Sequence, residues 1–273
     1  MYNTIIFAII KNEHHYIEEW VEWHHNYVGI EHIYLIEDIG SQPHQEILSK
    51  YDYVTLIQLN DVITDTEKED MINNKCDKVF LAYIIFHRLY KQDCNWCAFI
   101  DVDEFIDCDK ETLNNILARN TDKISVTMQW LNMKCDGHIY HPNNWEKYSL
   151  LDTYKTYTTD GLYNEKYKQI INCRPIFHIF TKLKYWEWFP HMMSDELNNF
   201  DGNIKLKHFY SKSFEEFVWK LRNRGQCRSS RNYSRNFNSW FTINTEYYPQ
   251  KEELFKEFNI QNIDDNLKFT EYI

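Results

Sequence analysis

The chain has 273 residues, of which 43% are hydrophobic and 26% are charged, ordinary values for one large globular domain that exclude a disordered or collagen-like chain. The formal net charge of −11 argues against a general nucleic-acid binder, because such a protein needs positive charge to contact phosphates. The aromatic share of 17% is enough to fill a core and still leave rings that can stack on a ligand.

The sequence predicts a cytoplasmic protein. Its start, MYNTIIFAIIKNEHH, has neither the basic region nor the cleavage site of a signal peptide, and the longest purely apolar run, 79–86, is too short to span a bilayer. The seven cysteines form no even disulfide framework. Cys94 and Cys97 form a single CxxC with no second pair for a zinc site, so we expect them to be plain buried thiols.

The first 105 residues alternate between predicted strands and helices. Short apolar runs predict strands, and apolar residues at helical spacing predict helices. In chain order we predict a strand at 4–10, a helix at 13–28, a strand at 31–36, a short helix near 43–50, a strand at 53–59, a helix at 76–91 and a strand at 96–100. This alternation predicts a parallel α/β sheet covered by helices, with ligands bound beyond the carboxyl ends of the strands.

The second half is less regular. We predict strands at 123–130, 168–180 and 182–189, with a loop-rich stretch at 140–167. Ser213 and Glu216 form a capping box that predicts a helix start, and Gly225 predicts its end. No repeat or linker interrupts the chain. We therefore predict one domain over 1–273, with a nucleotide-binding half at 1–105 and an elaborated half at 106–273.

Two carboxylates, Asp101 and Asp103, directly follow the strand predicted at 96–100. Side chains at this spacing can both reach one divalent cation, and Mg²⁺ or Mn²⁺ could then bridge them to a diphosphate. The alternative is a solvated acidic turn, because the DxD pattern alone is common.

Polar residues also follow the first two strands, which in a parallel sheet would place them at the same edge as Asp101. Lys11, Asn12 and Glu13 follow the first strand, and Asp38 follows the second. Asp38 could accept a hydrogen bond from a base or a ribose. The alternatives are an ordinary helix start capped by Asn12 and a simple turn at Asp38.

Three stretches carry a family resemblance. They are the start from Lys11-Asn-Glu to Gly29-Ile-Glu-His32, the core Trp96-x-x-Phe99-Ile-Asp-Val-Asp-Glu-Phe105, and the block His208-Phe-Tyr-x-Lys212-Ser213-x-Glu215-Glu-Phe217-x-x-Lys220-x-x-x-Arg224-Gly225. Together they resemble glycosyltransferase family 92 and its bacterial family-2-like relatives. The resemblance implies a GT-A fold with a Rossmann-like, mostly parallel sheet, a nucleotide-sugar donor, and Mn²⁺ or Mg²⁺ held by the DxD.

The resemblance also implies roles for residues of the C-terminal part. GT-A enzymes often complete the metal shell with a histidine from this region, which implies His208 as a ligand beside Asp101 and Asp103, with His191 in reserve. Lys212 and Arg224 fall in the family block and are expected to neutralise the departing diphosphate.

Two further features concern the acceptor. Asp195 and Glu196 lie where GT-A chains often carry the general base that deprotonates the acceptor hydroxyl in an inverting reaction. The stretch 212–235 is basic within an acidic chain. We expect one or two of its basic side chains to meet the diphosphate, or an anionic membrane surface that carries a lipid-linked acceptor. The alternative is a solvated helix face.

The sequence therefore predicts a metal-dependent enzyme of polysaccharide biosynthesis, cytoplasmic or peripheral to the inner face of the membrane. The family resemblance implies that it moves a hexose from a UDP-sugar to a glycan or lipid-linked glycan acceptor, with inversion. One alternative is a sugar-phosphate nucleotidyltransferase, which normally needs a glycine-rich loop where this chain has Lys11-Asn-Glu. Another is a carbohydrate-binding protein with a degenerate donor site, which the intact DxD disfavours.

Overall fold

The structure is a computed structural model that describes residues 1–72, 78–159, 167–174, 204–224, 233–263 and 266–269. Contacts divide the chain into two compact units. The first comprises Met1–Leu131 and Asn164–His208, and the second comprises Asn132–Tyr163 and Phe209–Ile273. The units interleave along the chain, whereas the halves expected from the sequence are consecutive; the single domain stays a prediction.

The described residues of the first unit build a mixed sheet. Its strands are β1 (Tyr2–Ile10), β2 (His32–Glu37), β3 (Val54–Gln58), β4 (Cys94–Ala98), β5 (Glu104–Asp107), β6 (Ser125–Asn132), β7 (Tyr167–Asn172) and β8 (Lys205–His208). Their order is β3-β2-β1-β4-β7-β6-β8-β5. The first four strands of this order are parallel, whereas β7 is antiparallel to β4 and β6, and β5 is antiparallel to β8. The α/β class is confirmed, and the parallel part is the half that the sequence predicted best.

Helices of the first unit connect these strands. They are α1 (Ile17–Glu22), which continues as a π-helix (Trp23–Val28), α2 (Gln45–Leu48), α3 (Leu59–Val62), α4 (Asp65–Ile72), α5 (Lys78–Leu89) and α6 (Lys110–Arg119). Gly29 ends the π-helix with a φ of 80°, and a Cβ at this position would collide with the Lys110 side chain. Glycine is therefore required there by both the backbone and the packing.

The core of the parallel half lies between the sheet and α5. Phe7 on β1 packs edge-on against Phe86 of α5, with 5.4 Å between the ring centroids, and against Phe99 at 6.1 Å. Cys94 and Cys97 are buried here as expected. A hydrogen bond to Cys173 together with burial raises the pKa of the Cys94 thiol, and burial raises that of Cys97, so both are unreactive thiols.

The second unit is mainly helical in its described residues. It contains α7 (Leu150–Thr153), α8 (Phe214–Arg224), α9 (Tyr233–Ile243), a 3₁₀ helix (Thr245–Gln250), α10 (Lys251–Glu257) and the antiparallel pair β9 (Ile260–Ile263) and β10 (Asn266–Phe269). The predicted capping box is confirmed, since the Glu216 N–H donates to Ser213 Oγ at 3.2 Å and the Ser213 N–H points to Glu216 Oε2 at 3.4 Å.

The predicted elements agree with the structure to different degrees. The helix expected at 13–28 begins only at Ile17, because residues 14–16 form a turn before it. Asn12, which precedes this turn, has a left-handed backbone with a φ of 56°. The strand expected at 168–180 is β7, and its part from 175 onward lies outside the described residues, as does the strand expected at 182–189. Within the described parts of the chain, every helix is too short or too polar to span a bilayer.

Candidate functional site

The carboxyl ends of β1, β2 and β4 lie at one edge of the sheet, because β1 is parallel to both of its neighbours. Lys11 follows β1, Asp38 follows β2, and Asp101 comes three residues after the end of β4. The three polar clusters predicted from the sequence therefore share this edge, which is where open α/β sheets bind their ligands.

The loops after β1 and β2 are joined to each other. Lys11 Nζ lies 3.2 Å from Asp38 Oδ2, and the Asp38 side chain is almost fully buried. The Asn12 N–H donates to Ser41 Oγ at 3.2 Å, and Asn12 Oδ1 accepts the Gln42 N–H at 2.8 Å. These contacts hold an ammonium and a carboxylate side by side at the sheet edge.

Glu13 faces the protein interior. It is 3% exposed, its carboxylate accepts the Tyr16 hydroxyl, and its N–H donates to His44 Nε2 at 3.0 Å. His44 Nδ1 in turn lies 2.6 Å from Glu37 Oε1, and burial lowers the pKa of His44. The imidazole is therefore neutral and carries its proton on Nδ1. In this geometry Glu13 fixes the loop, and its contact with a donor stays a prediction.

The DxD turn is closed by Glu104. Glu104 Oε2 accepts the Asp101 N–H at 2.7 Å, and the Glu104 N–H donates to Asp101 O at 3.0 Å. Lys168 on β7 adds an ammonium, with Nζ 2.8 Å from Asp101 Oδ2 and 3.4 Å from Glu104 Oε2. The Asp101 side chain remains 47% exposed, whereas those of Glu104 and Lys168 are buried. Two buried side chains, those of Glu104 and Lys168, therefore hold the DxD turn in place.

The pairing of β5 with β8 brings His208 to the same turn. His208 is opposite Glu104 in this antiparallel pair, and its Nε2 lies 3.9 Å from Asp103 Oδ1. Both side chains are nearly buried, and the His208 ring packs on Trp130 of β6 with 4.2 Å between centroids. A carboxylate and an imidazole that are 105 positions apart in the sequence therefore face each other beside the DxD.

The charged groups of the DxD turn shift one another's pKa values. The surrounding protein removes part of the hydration of the Asp101 carboxyl, which works to raise its pKa, but the Lys168 ammonium outweighs this effect and holds that pKa below its ordinary value. Burial works to lower the pKa of Lys168, but Asp101 and Glu104 outweigh it, and that pKa lies above its ordinary value. Burial dominates for Glu104 and raises its pKa to about 8. The turn thus contains an Asp101–Lys168 ion pair beside a Glu104 carboxyl that holds its proton more tightly than usual.

Asp103 and His208 suit a divalent cation. Two donor atoms that each lie about 2.1 Å from an octahedral ion are about 3.0 Å apart when adjacent and about 4.2 Å apart when opposite, so the pair at 3.9 Å would share one ion after a side-chain shift of less than about 1 Å. Across the described ranges, no three His, Cys, Asp or Glu side chains gather closely enough to hold a metal. A pair of protein ligands still fits Mg²⁺ or Mn²⁺, because such ions often take their other ligands from water and substrate phosphates.

The other predicted site residues are distributed as follows. Lys212, in the second unit, is 6% exposed and has a left-handed backbone with a φ of 43°, directly before the capping box of α8. Arg224 is the last residue of α8, and its side chain is outside the description. Asp195, Glu196 and the reserve ligand His191 lie outside the described residues. Their roles stay predictions.

Sequence reasoning missed Lys168 and the part that Glu104 plays. Lys168 lies in a strand, Tyr167–Asn172, in which every residue after Tyr167 is buried, and a lysine in a buried strand is an unusual pattern that indicates a paired charge. Nothing in the sequence spacing shows that its partner is Asp101, because the contact depends on β7 entering the sheet beside β4.

The chain matches the model of Glycosyltransferase family 92 over residues 8–270. The chain belongs to this family. The resemblance stated above is therefore confirmed, and the chain is a glycosyltransferase. Its parallel strands in the order β3-β2-β1-β4, with the DxD after β4, agree with the GT-A type predicted for it. A comparison with curated proteins finds no match.

Several solved structures are distantly similar to this family 92 member. S. aureus TarS 1–349 in complex with UDP has a TM-score of 0.43 and 13% identity, covering 94% of this chain and 78% of that chain. The 4-diphosphocytidyl-2C-methyl-D-erythritol synthase of Anaerococcus prevotii has a TM-score of 0.39 and 11% identity, covering 82% and 97%. The mannosyltransferase Ktr4p from S. cerevisiae has a TM-score of 0.30 and 12% identity, covering 47% and 39%.

Proposed function

We propose that this glycosyltransferase moves a hexose from a UDP-sugar to a glycan or lipid-linked glycan acceptor, with inversion, and depends on Mn²⁺ or Mg²⁺. The observation that supports it most is the Asp103–His208 pair beside the DxD turn, at the ligand-binding edge of the sheet in a family 92 member. UDP and inversion rest on the family resemblance described above.

The donor would lie along the carboxyl ends of the parallel strands. The Asp38 carboxylate, held by Lys11, is suited to accept a hydrogen bond from a ribose hydroxyl or a base N–H. Asp103 and His208 would hold the metal, which when bound neutralises charge on the diphosphate leaving group. Lys212 and Arg224 are the cations that we propose for the same group, following their place in the family block.

The acceptor side needs a general base in an inverting reaction. A carboxylate must take the proton of the attacking hydroxyl, and Asp195 and Glu196 remain our candidates from the sequence. The basic stretch 212–235 is proposed to meet either the diphosphate or an anionic membrane surface at which a lipid-linked acceptor sits. We propose that the protein is cytoplasmic and peripheral to the inner face of the membrane, where it can reach both a nucleotide-sugar donor and a lipid-linked acceptor.

A panel of nucleotide sugars tests the proposed function without an acceptor. Purified protein is incubated with each donor, with and without Mn²⁺, and release of the nucleoside diphosphate is measured. We expect release from one or a few UDP-sugars, only with a divalent metal, and at least about tenfold above the Asp103→Asn variant. Release from no donor, or equal release without metal, would contradict the proposal.

A further inference from the structure

Lys168 is a lysine buried inside the sheet. Its side chain is 2% exposed, and it lies on β7 two residues before Ile170, which pairs with Ala98 at the end of β4. A buried ammonium is costly unless it is paired, so the groups that face it indicate what it does. Among the described residues, the two carboxyl groups within 4 Å of its ammonium, on Asp101 and Glu104, both belong to the DxD turn.

The contacts of Lys168 connect both ends of this turn. Its Nζ lies 2.8 Å from Asp101 Oδ2 and 3.4 Å from Glu104 Oε2. Glu104 Oε2 also accepts the Asp101 N–H at 2.7 Å. Lys168 therefore fixes the direction of the Asp101 carboxylate as well as the shape of the turn.

This arrangement has a consequence for a bound cation. Asp101 Oδ2 already faces an ammonium, and a divalent cation on the same oxygen would be repelled by that ammonium at close range. Asp103, two positions further along the chain, faces His208 instead, with 3.9 Å between Asp103 Oδ1 and His208 Nε2. In this turn the Asp101 carboxylate pairs with the Lys168 ammonium, whereas the Asp103 carboxylate faces the His208 imidazole.

We propose that Lys168 is a positioning residue of the donor site that holds Asp101 away from the metal. This rests on the proposed function. The metal then depends on Asp103, His208 and the oxygens of the nucleoside diphosphate. Mn²⁺ binds weakly to the protein alone and firmly only together with UDP, so an ion is retained when a donor is present.

Replacement of Lys168 by methionine tests this proposal, because methionine is unbranched, only one atom shorter than lysine, and uncharged. The probe is Mn²⁺ alone, followed by its electron paramagnetic resonance signal, and then Mn²⁺ with UDP. We expect Lys168→Met to bind Mn²⁺ alone about tenfold or more tightly than the wild type, because Asp101 becomes a third ligand and a nearby positive charge is removed. The kcat should fall more than the KM for the donor changes, and Lys168→Arg should restore both properties.

Two controls separate positioning from general effects. Lys134→Met removes the same charge from a surface ion pair with Glu246, 3.1 Å away in the second unit, and should leave Mn²⁺ affinity unchanged. If Lys168→Met does not fold, the double variant Lys168→Met/Glu104→Gln replaces it, because this variant removes one carboxylate together with the ammonium. Its reference is the single variant Glu104→Gln. We expect the double variant to bind Mn²⁺ alone about tenfold more tightly than this single variant.

The outcomes are distinguishable. If the wild type binds Mn²⁺ with UDP but the Lys168 variants bind Mn²⁺ alone no more tightly than their references, Lys168 is a structural ion pair. The inference is then overturned and the proposed function stands. If the wild type binds no Mn²⁺ even with UDP, the metal dependence of the proposed function is overturned, and the role of Lys168 with it.

Discussion

Two buried glutamates differ in how the protein surrounds them. Glu216, in the second unit, is 7% exposed and accepts hydrogen bonds from three hydroxyl groups. These come from Tyr148 at 2.5 Å, Tyr154 at 3.0 Å and Ser213 at 2.8 Å. Both carboxylate oxygens are satisfied by neutral donors, as expected of a residue that holds a loop against the start of a helix.

Glu104, in the first unit, is fully buried but less completely satisfied. Its Oε2 has the Asp101 N–H and the Lys168 ammonium, whereas its Oε1 has no hydrogen-bond partner within the described part of the chain. Burial raises its pKa to about 8. Glu216, with neutral donors on both oxygens, is thus part of the scaffold, whereas Glu104, with one oxygen unpaired in the described residues and a charged partner on the other, lies at the candidate site.

The largest expected effect is at the candidate site. Asp103→Asn should lower metal-dependent donor turnover about a thousandfold while the protein stays folded, because a ligand is lost that contributes several kcal/mol through the metal. Asp107→Asn is a matched control on the neighbouring strand, where Asp107 pairs with Lys207 at 2.9 Å. Turnover is measured by diphosphate release and folding by circular dichroism. Near-normal turnover in folded Asp103→Asn would remove this residue from the metal site.

His208→Ala should weaken Mn²⁺ and UDP binding together, each by about a hundredfold, since the metal carries the diphosphate. Both affinities are measured by calorimetry on the folded variant. A loss of UDP binding with unchanged Mn²⁺ affinity would show that His208 contacts the nucleotide and not the ion. Unchanged values for both would leave it as a packing partner of Trp130.

Glu216→Gln should lower the free energy of unfolding by about 2 kcal/mol, because an amide NH₂ then meets hydroxyl donors. Glu104→Gln should change it by less than about 1 kcal/mol, since only part of that carboxyl is hydrogen-bonded. Urea unfolding at pH 7 measures both. An equal fall in the free energy of unfolding of the two variants would show that Glu104 contributes to stability as much as Glu216 does, and would contradict the difference drawn between them.

His24 extends the comparison to a satisfied imidazole. Its Nδ1 donates to Trp20 O at 2.8 Å, and its Nε2 accepts the Ile106 N–H at 3.2 Å. Burial lowers its pKa to about 3. Because the pKa is depressed on folding, the stabilisation is complete above pH 6.5 and is lost as the pH falls towards 3, by about 1.4 kcal/mol per pH unit. His24→Gln should flatten this slope in urea unfolding at pH 4–7, and an unchanged slope would contradict the assignment.

The parallel half of the fold could be predicted from the sequence, because buried parallel strands are short apolar runs with clear ends. The predicted 31–36 and the observed His32–Glu37 differ by one residue. Helix α4 was missed because its sequence, DTEKEDMI, has no apolar stripe. Helix α6 was also missed, although Asp109 caps it by accepting the Glu111 and Thr112 N–H groups at 3.0 Å.

Some residues of the candidate site could be predicted from the sequence, and others could not. Asp38, Asp101 and Asp103 could be found because each follows a strand of the parallel sheet, and this position alone brings them to one edge. The assignment of His208 came from the family resemblance, and the register of β8 with β5 then places it beside Asp103. Lys168 could not be paired with Asp101 from the sequence, because 67 positions and an antiparallel strand insertion separate them.

In the proposed function, the DxD turn binds a nucleoside diphosphate through a divalent metal. Calorimetric titration of UDP into the wild-type protein, with and without Mn²⁺, measures this dependence. We predict that UDP binds at least about tenfold more tightly with Mn²⁺, and that Asp103→Asn removes this difference. Equal UDP affinity in the wild type with and without Mn²⁺ would contradict the account.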